Sequence, residues 1–185
     1  MAHYMKVILA SASPRRAELL KKVVEEFEVF ATDADERTDE SDPAKRAVLI
    51  AREKARAAYA VKGNGCLIVA CDTIVFLCGR FYGKPRDKED ALRMLNDLNG
   101  KTHEVYSGVC IIADGREETF FDRSEVTFKE NTEAALEKYI ERYRPFDKAG
   151  SYGIQDGELV KGYEGSYDNI VGLPVEILKD KKHDH

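Results

Sequence analysis

The alternation of apolar and polar positions divides the chain into recognisable elements. Val7-Ile8-Leu9-Ala10 reads as a short buried strand, and Ser13-Pro14 after it reads as a helix cap followed by proline at the first helical position. Ala17, Leu19, Leu20, Val23 and Val24 give that helix an apolar stripe, and residues 28–32 form an expected strand entering an acidic loop, residues 33–42. Asp42-Pro43 repeats the cap-and-proline start. The helix behind it places Ala47, Ile50, Ala51, Lys54, Ala55 and Ala58 on roughly one face, so that Lys54 is a charge on an otherwise small and apolar stripe. Cys66-Leu67-Ile68-Val69-Ala70-Cys71 is the strongest buried-strand pattern, and it is expected to end at Asp72-Thr73. A helix over residues 87–98 turns Ala91, Leu92, Met94, Leu95 and Leu98 inward. Strands over 105–113 and 118–128 are joined by Asp114-Gly115, a good hairpin turn. Thr132 caps a helix to Arg142, and the Gly- and Tyr-rich stretch 145–174 reads as short strands and loops. After Pro174 a short strand or helix leads into a charged tail. Alternation first and hairpin pairing later predict an α/β protein with a mixed β-sheet flanked by helices.

The 185 residues predict one domain, residues 1–185, in which 1–4 precede a second methionine and are set aside from the fold and 180–185 form a polar tail. Hydrophobic content of 43% against 34% charged residues, with mean hydropathy −0.45, describes a water-soluble globular chain. No apolar stretch approaches the roughly 20 residues of a membrane span, so no membrane partner is expected. Nothing resembles a secretory segment. Cys66, Cys71, Cys78 and Cys110 form no CxxC pair and have no histidine at zinc-finger spacing. Buried reduced thiols are the favoured reading, which suits a cytoplasmic location. A net charge of −5 argues against a nucleic-acid partner, but a few converging lysines and arginines can still build one positive cleft on an acidic protein.

Ser11-Ala12-Ser13-Pro14-Arg15-Arg16 sits between a strand and a helix, where backbone N–H groups and the helix dipole suit an anion. Two hydroxyls and two guanidinium forks strengthen that reading, because positive charge in a first helical turn is otherwise unfavourable. A plain capped helix with solvated arginines is the alternative. Asp72 is a candidate for metal binding or general-base duty, against an ordinary turn-forming aspartate. Phosphoryl transfer to Asp72 itself would want a DxDxT pattern, whereas the chain reads Cys71-Asp72-Thr73-Ile74-Val75. Lys84 in Gly83-Lys84-Pro85 is a candidate phosphate contact, and Asp35-Glu36 could supply a second metal carboxylate. Taken singly, both are more often solvated loop residues. His103 is read as structural, His183 and His185 as tail residues, and Tyr152, Tyr163 and Tyr167 as packing.

These pieces occur in an order that resembles the Maf-like nucleoside triphosphate pyrophosphatases, which are related in fold to the inosine triphosphate pyrophosphatases. The resemblance runs from Val7 to about Leu178 and rests on Leu9-Ala10-Ser11-Ala12-Ser13-Pro14-Arg15-Arg16, Ala51-Arg52-Glu53-Lys54-Ala55, Asp72-Thr73-Ile74-Val75 and Gly83-Lys84-Pro85. Leu98-Asn99-Gly100-Lys101-Thr102-His103, Asp147-Lys148-Ala149-Gly150-Ser151-Tyr152-Gly153-Ile154-Gln155, Gly165-Ser166-Tyr167 and Val171-Gly172-Leu173-Pro174 continue it. It implies cleavage between the α- and β-phosphates of a nucleoside triphosphate, giving the monophosphate and pyrophosphate. By the same resemblance Asp72 is the proton acceptor, Glu36 an acidic residue near the metal, and Lys54 and Lys84 phosphate-site lysines. Asp72 with Glu36 would hold Mg²⁺ or Mn²⁺. Ser11, Ser13, Arg15 and Arg16 would bind substrate. Arg15, Thr73 and Gln155 match the specificity positions of the subgroup resembling dTTP/UTP pyrophosphatases. A glutamine amide can accept from pyrimidine N3–H and donate to a ring carbonyl, a pair shared by uracil and thymine and mismatched by cytosine; a flipped amide could serve adenine. The acidic loop and Ser151, where alanine is usual, depart from the family pattern. A homodimer is also implied. The competing expectation is a nucleotide-binding regulator of septum formation whose turnover is dispensable.

Overall fold

The structure, a computed structural model, describes residues 5–182; residues 1–4, His183 and His185 lie outside the described residues. Its strands are β1 (Lys6–Leu9), β2 (Glu28–Val29), β3 (Cys66–Leu77), β4 (Arg80–Tyr82), β5 (Thr102–Ala113), β6 (Arg116–Phe128) and β7 (Val160–Glu164). Its helices are α1 (Pro14–Leu20), α2 (Pro43–Lys62), α3 (Lys88–Leu98), α4 (Glu133–Tyr143), α5 (Tyr167–Val171) and α6 (Val175–Lys182). The strands make one mixed sheet in the order β2-β1-β3-β5-β6-β7, with β4 paired to the far half of β3. β1 is parallel to β2 and β3, whereas β3, β5, β6 and β7 are successively antiparallel. This is the mixed, helix-flanked sheet expected from the sequence.

Local chemistry explains the helix starts. The side chains of Ser13, Asp42, Asp87 and Thr132 each accept the backbone N–H three residues on, and Pro14 and Pro43 occupy the first helical positions. The hairpin turn is also as expected: Asp114 and Gly115 take φ of 49° and 81°, the left-handed pair of a two-residue turn.

Period-two alternation along β1 and β3 sends alternate side chains to opposite cores. Ile8, Ile68 and Ala70 meet Ala51, Ala55 and Ala58 of α2, whose small side chains let the helix lie close to the sheet. Leu9, Val69 and Cys71 face Leu19 and Leu20 of α1 and Val175 and Leu178 of α6. A further core joins α3 and α4 to Val75, Val105, Val126, Phe128 and Tyr152.

Several boundaries differ from expectation. β3 does not stop at Asp72 but continues to Leu77, because β5 runs beside it from Leu67↔Ala113 to Phe76↔Glu104 and supplies ladder partners throughout. β2 covers Glu28–Val29 rather than 28–32. α1 ends at Leu20, and Val23 and Val24 lie in a tight turn whose N–H groups both reach the Leu20 carbonyl. Within 145–174 a short helix, α5, follows a cap by Ser166. Of the cysteines, Cys71 and Cys110 are buried, Cys66 is half-buried and Cys78 is exposed at a turn with φ 49°. Tyr152 packs in the core, but Tyr163 and Tyr167 are 48% and 38% exposed and pack chiefly on each other, with ring centroids 5.6 Å apart. Buried His103 is a core residue, its Nε2 2.6 Å from the Tyr152 hydroxyl.

Candidate active site

The site begins with a gap in the sheet. β1 leaves β3 at the pair Leu9↔Val69, and β4 joins β3 only from Val75. Residues 70–74 therefore have β5 on one side and a cleft on the other. Asp72 lies at the middle of this open stretch, paired to Gly108 of β5. Because successive strand residues point to opposite faces, Asp72 turns towards α2 and Thr73 towards α1 and α5. The gap lets both line one cleft of about 750 Å³.

On the α2 side, Lys54 is the anomaly of the alanine stripe resolved in space. Its ammonium lies 3.2 Å from Asp72 Oδ1, 3.2 Å from Glu36 Oε1 and 3.3 Å from the Cys71 carbonyl oxygen. Lys54 and Asp72 are only 14% and 17% exposed, whereas Glu36 comes from the exposed acidic loop at 59%. On the other side, Arg16 Nε donates to the Gly172 carbonyl at 2.8 Å and its Nη2 to Thr73 Oγ1 at 3.1 Å. Thr73 Oγ1 is also 2.9 Å from Ser107 Oγ. Buried Ser11 accepts the Ser13 N–H at 3.0 Å, and Ser13 accepts that of Arg16 at 3.3 Å, so both hydroxyls shape the turn into α1.

The far wall comes from the segment after α4. Arg15 Nη1 donates to Asp147 Oδ2 at 2.8 Å and its Nη2 to the Asp147 carbonyl at 3.2 Å; Lys148 Nζ lies 3.3 Å from Asp147 Oδ1. Burial works against the Asp147 carboxylate, but Arg15 and Lys148 hold its pKa below the ordinary value on balance. Burial pushes the neighbouring Cys71 thiol up, which keeps it protonated. Gly150 N–H donates to the Gly83 carbonyl at 3.1 Å, tying the loop that carries exposed Lys84 to this wall. Gln155, exposed, lies in a short 3-10 turn (Ile154–Asp156) at the rim.

Ser11, Ser13, Arg15, Arg16, Glu36, Lys54, Asp72, Thr73, Lys84 and Gln155 all line this cleft, whereas Asp35, the other carboxylate offered with Glu36, does not and is instead paired with Arg37. The cleft also contains Arg46, Asp147 and Lys148, which sequence reasoning left without a role. Arg46, stacked over the Phe81 ring at 4.2 Å, had a signal: it precedes Ile50 and Lys54 at four-residue intervals on α2. Six cations (Arg15, Arg16, Arg46, Lys54, Lys84, Lys148) thus meet three carboxylates (Glu36, Asp72, Asp147), a local excess of three on an acidic chain. A polyanion is the ligand such a cleft attracts.

A divalent cation fits the same place. Asp72 and Glu36 both converge on one cationic centre, the Lys54 ammonium, and offer hard oxygen donors. Among the described residues no group of three or more His, Cys, Asp or Glu forms a metal cage. Two carboxylates are enough for Mg²⁺, which usually takes one or two from the protein and the rest from phosphates and water. No helix among the described residues is long and apolar enough to cross a membrane.

Comparison with known proteins identifies the family. A family model described as Maf-like protein matches residues 6–181. A dTTP/UTP pyrophosphatase of Thermococcus kodakarensis is 41% identical over 174 residues, covering 93% of each chain. One of Thermosipho africanus is 44% identical over 178 residues, covering 95% of this chain and 91% of its own. One of Carboxydothermus hydrogenoformans is 44% identical over 178 residues, covering 94% and 95%. Among solved structures, the Staphylococcus aureus Ham1 protein aligns with a TM-score of 0.57 at 13% identity over 97% of this chain and 98% of its own. A HAM1 protein from Coxiella burnetii gives 0.51 at 12% identity over 98% and 100%. At those identities the likeness is one of fold, the architecture expected from the sequence.

Proposed function

The chain belongs to the Maf-like protein family, and from that premise we propose that it is a nucleoside triphosphate pyrophosphatase that converts dTTP and UTP to the monophosphate and pyrophosphate. The observation that carries the reading is the Lys54–Asp72 contact at the sheet gap, inside a cleft with an excess of positive charge. Asp72 takes a proton from water as the water oxygen attacks phosphorus at the α–β anhydride, and the bridging oxygen departs with pyrophosphate. Lys54, anchored by the Cys71 carbonyl, orients Asp72 and offsets charge developing on the phosphates. Arg15 and Lys84 face the triphosphate. Arg16 fixes Thr73 and the Gly172 carbonyl, so it contributes positive potential while shaping the nucleoside end. Glu36 and Asp72 would hold Mg²⁺ or Mn²⁺, which when bound stabilises phosphoryl charge and acidifies water. Gln155 reads the uracil or thymine edge through its paired donor and acceptor.

We place the protein in the cytoplasm as a homodimer. The four unpaired cysteines support a reducing compartment, and the family resemblance supports the dimer. A nucleotide-binding regulator is not favoured, since a binding module has no use for a carboxylate held by a desolvated lysine against a triphosphate.

The test is purified protein with Mg²⁺ or Mn²⁺ and dTTP, UTP, dCTP or ATP, assaying pyrophosphate and phosphate separately. Pyrophosphate from dTTP and UTP is expected, with little from dCTP or ATP. Free phosphate, or no turnover of any nucleotide, would overturn the assignment. Asp72→Asn should lose at least about a hundredfold in kcat while still binding dTTP; full activity would remove the proton-acceptor role.

A further inference from the structure

Gln155 stands on a three-residue turn, an element too short to fix an amide by itself. What holds the turn lies beneath it. Tyr139 of α4 is 1% exposed, and its hydroxyl bridges the turn's two ends. It accepts the Gly153 backbone N–H at 2.9 Å and donates to Asp156 Oδ2 at 2.6 Å. The Asp156 N–H closes the turn on the Gly153 carbonyl at 3.1 Å.

Gly153 has a second role. Its φ of −115° is ordinary backbone, so no conformational demand explains the glycine. A Cβ there would sit 3.1 Å from Gln155 Oε1, 3.1 Å from Asp156 Oδ2 and 3.1 Å from Lys148 Cε. The Gln155 amide oxygen therefore lies close to the bare Cα, in space that a side chain at residue 153 would take.

We infer that Tyr139 and Gly153 are positioning residues for base discrimination: Tyr139 clamps the turn from below, and Gly153 leaves the space in which the Gln155 amide rests. The inference depends on Gln155 reading the base. A hydrogen-bonded site discriminates only if its donor and acceptor are held in register with the base edge. Loosening either support lets the amide rotate, and the uracil-type pattern ceases to be distinguished from the cytosine pattern.

The experiment measures kcat/KM for dTTP and dCTP in the full chain and in Gln155→Ala, Tyr139→Phe and Gly153→Ala. Tyr139→Phe keeps the ring and removes both hydrogen bonds of the clamp; the dTTP/dCTP ratio should fall roughly tenfold, the effect expected if the freed Gln155 amide loses one hydrogen bond to the base. That fall should come mainly through KM for dTTP, with kcat little changed. Gly153→Ala keeps the Tyr139 hydroxyl but crowds Gln155 Oε1 together with Asp156 Oδ2, the acceptor of that hydroxyl, and the ratio should fall again. This variant decides the matter if Tyr139→Phe does not fold. A ratio that falls in Gln155→Ala but stays at wild type in the folded positioning variants overturns the inference, even if thermal stability drops. A ratio unchanged in Gln155→Ala overturns the base-reading role itself, and the inference falls with it.

Discussion

A lysine that is 14% exposed bears a desolvation cost, and Lys54 offsets it with two carboxylates and a carbonyl. This arrangement separates its chemistry from its packing. Lys54→Met keeps the length of the stem beside the alanines of α2, so the variant should fold. It should nevertheless lose about 10²–10³ in kcat, the cost typical of removing one preorganised charge-stabilising donor. Steady-state kinetics with dTTP beside a thermal melt checks both halves; near-wild-type turnover in a folded variant would make Lys54 merely structural. Lys54 was legible because a charge on a small-residue stripe is a local anomaly within one helix. Asp147 was not, because its partner Arg15 lies 132 positions away and Asp147 itself breaks no local pattern. Tyr139 was hidden for a similar reason, as an aromatic at core spacing whose polar partners arrive only with the turn after residue 152.

At the scale of elements, the distance between α2 and the sheet decides where Lys54 meets Asp72. Gly108, opposite Asp72 on β5, sets that distance: a Cβ there would lie 2.3 Å from the Ala47 carbonyl carbon and 2.4 Å from the Val48 nitrogen. Both are backbone atoms, so the helix itself would have to lift. Gly108→Ala should destabilise the protein by about 1–3 kcal/mol or more, the cost of overpacking. It should also depress kcat in whatever protein remains folded, by moving Lys54 from Asp72. Adding Ala47→Gly should not restore either property, since the clash is with main chain; rescue measured by urea unfolding would show that side-chain crowding was the cause. The helix itself was readable from its cap and stripe. The course of β3 past Asp72 was not. A polar pair after an apolar run looks like a strand end, and only the non-local ladder with β5 reveals that the strand continues while its neighbour β1 stops. The ligand-facing gap is thus a property of pairing, which periodicity along one strand does not encode.

For the molecule as a whole, stability against acid should depend on one buried imidazole before the carboxylates enter. His103 joins β5 to the segment that begins at Tyr152, with its ring edge-on to Phe128 and Tyr152 at 5.4 and 5.3 Å. Its Nδ1 is buried without a hydrogen-bond partner, and burial lowers its pKa from 6.5 to about 4. The unfolded chain therefore takes up a proton near pH 6.5, while the folded chain resists until about 4. Between those values the unfolded state binds more protons, so stability falls as pH falls through the window. The loss should reach roughly 2–3 kcal/mol by pH 4.5, at 1.36 kcal/mol for each unit of difference. The surface carboxylates act later. Glu28, held to about 2 by hydrogen bonds from Lys6 and Lys62, gives stability that is present above its ordinary 4.5 and lost only below it. Urea unfolding between pH 7 and 4.5 should show the decline in wild type and a flat response in His103→Gln; a flat wild-type profile would mean the imidazole is solvated in the fold. The same imidazole borders the cleft wall, because its Nε2 hydrogen-bonds with the hydroxyl of Tyr152, the residue before Gly153. The folded chain resists protonation until about 4, so that contact survives the window and dTTP/dCTP discrimination should hold between pH 7 and 4.5 while stability declines; a ratio that falls in step with stability would mean that the folded imidazole takes up its proton earlier.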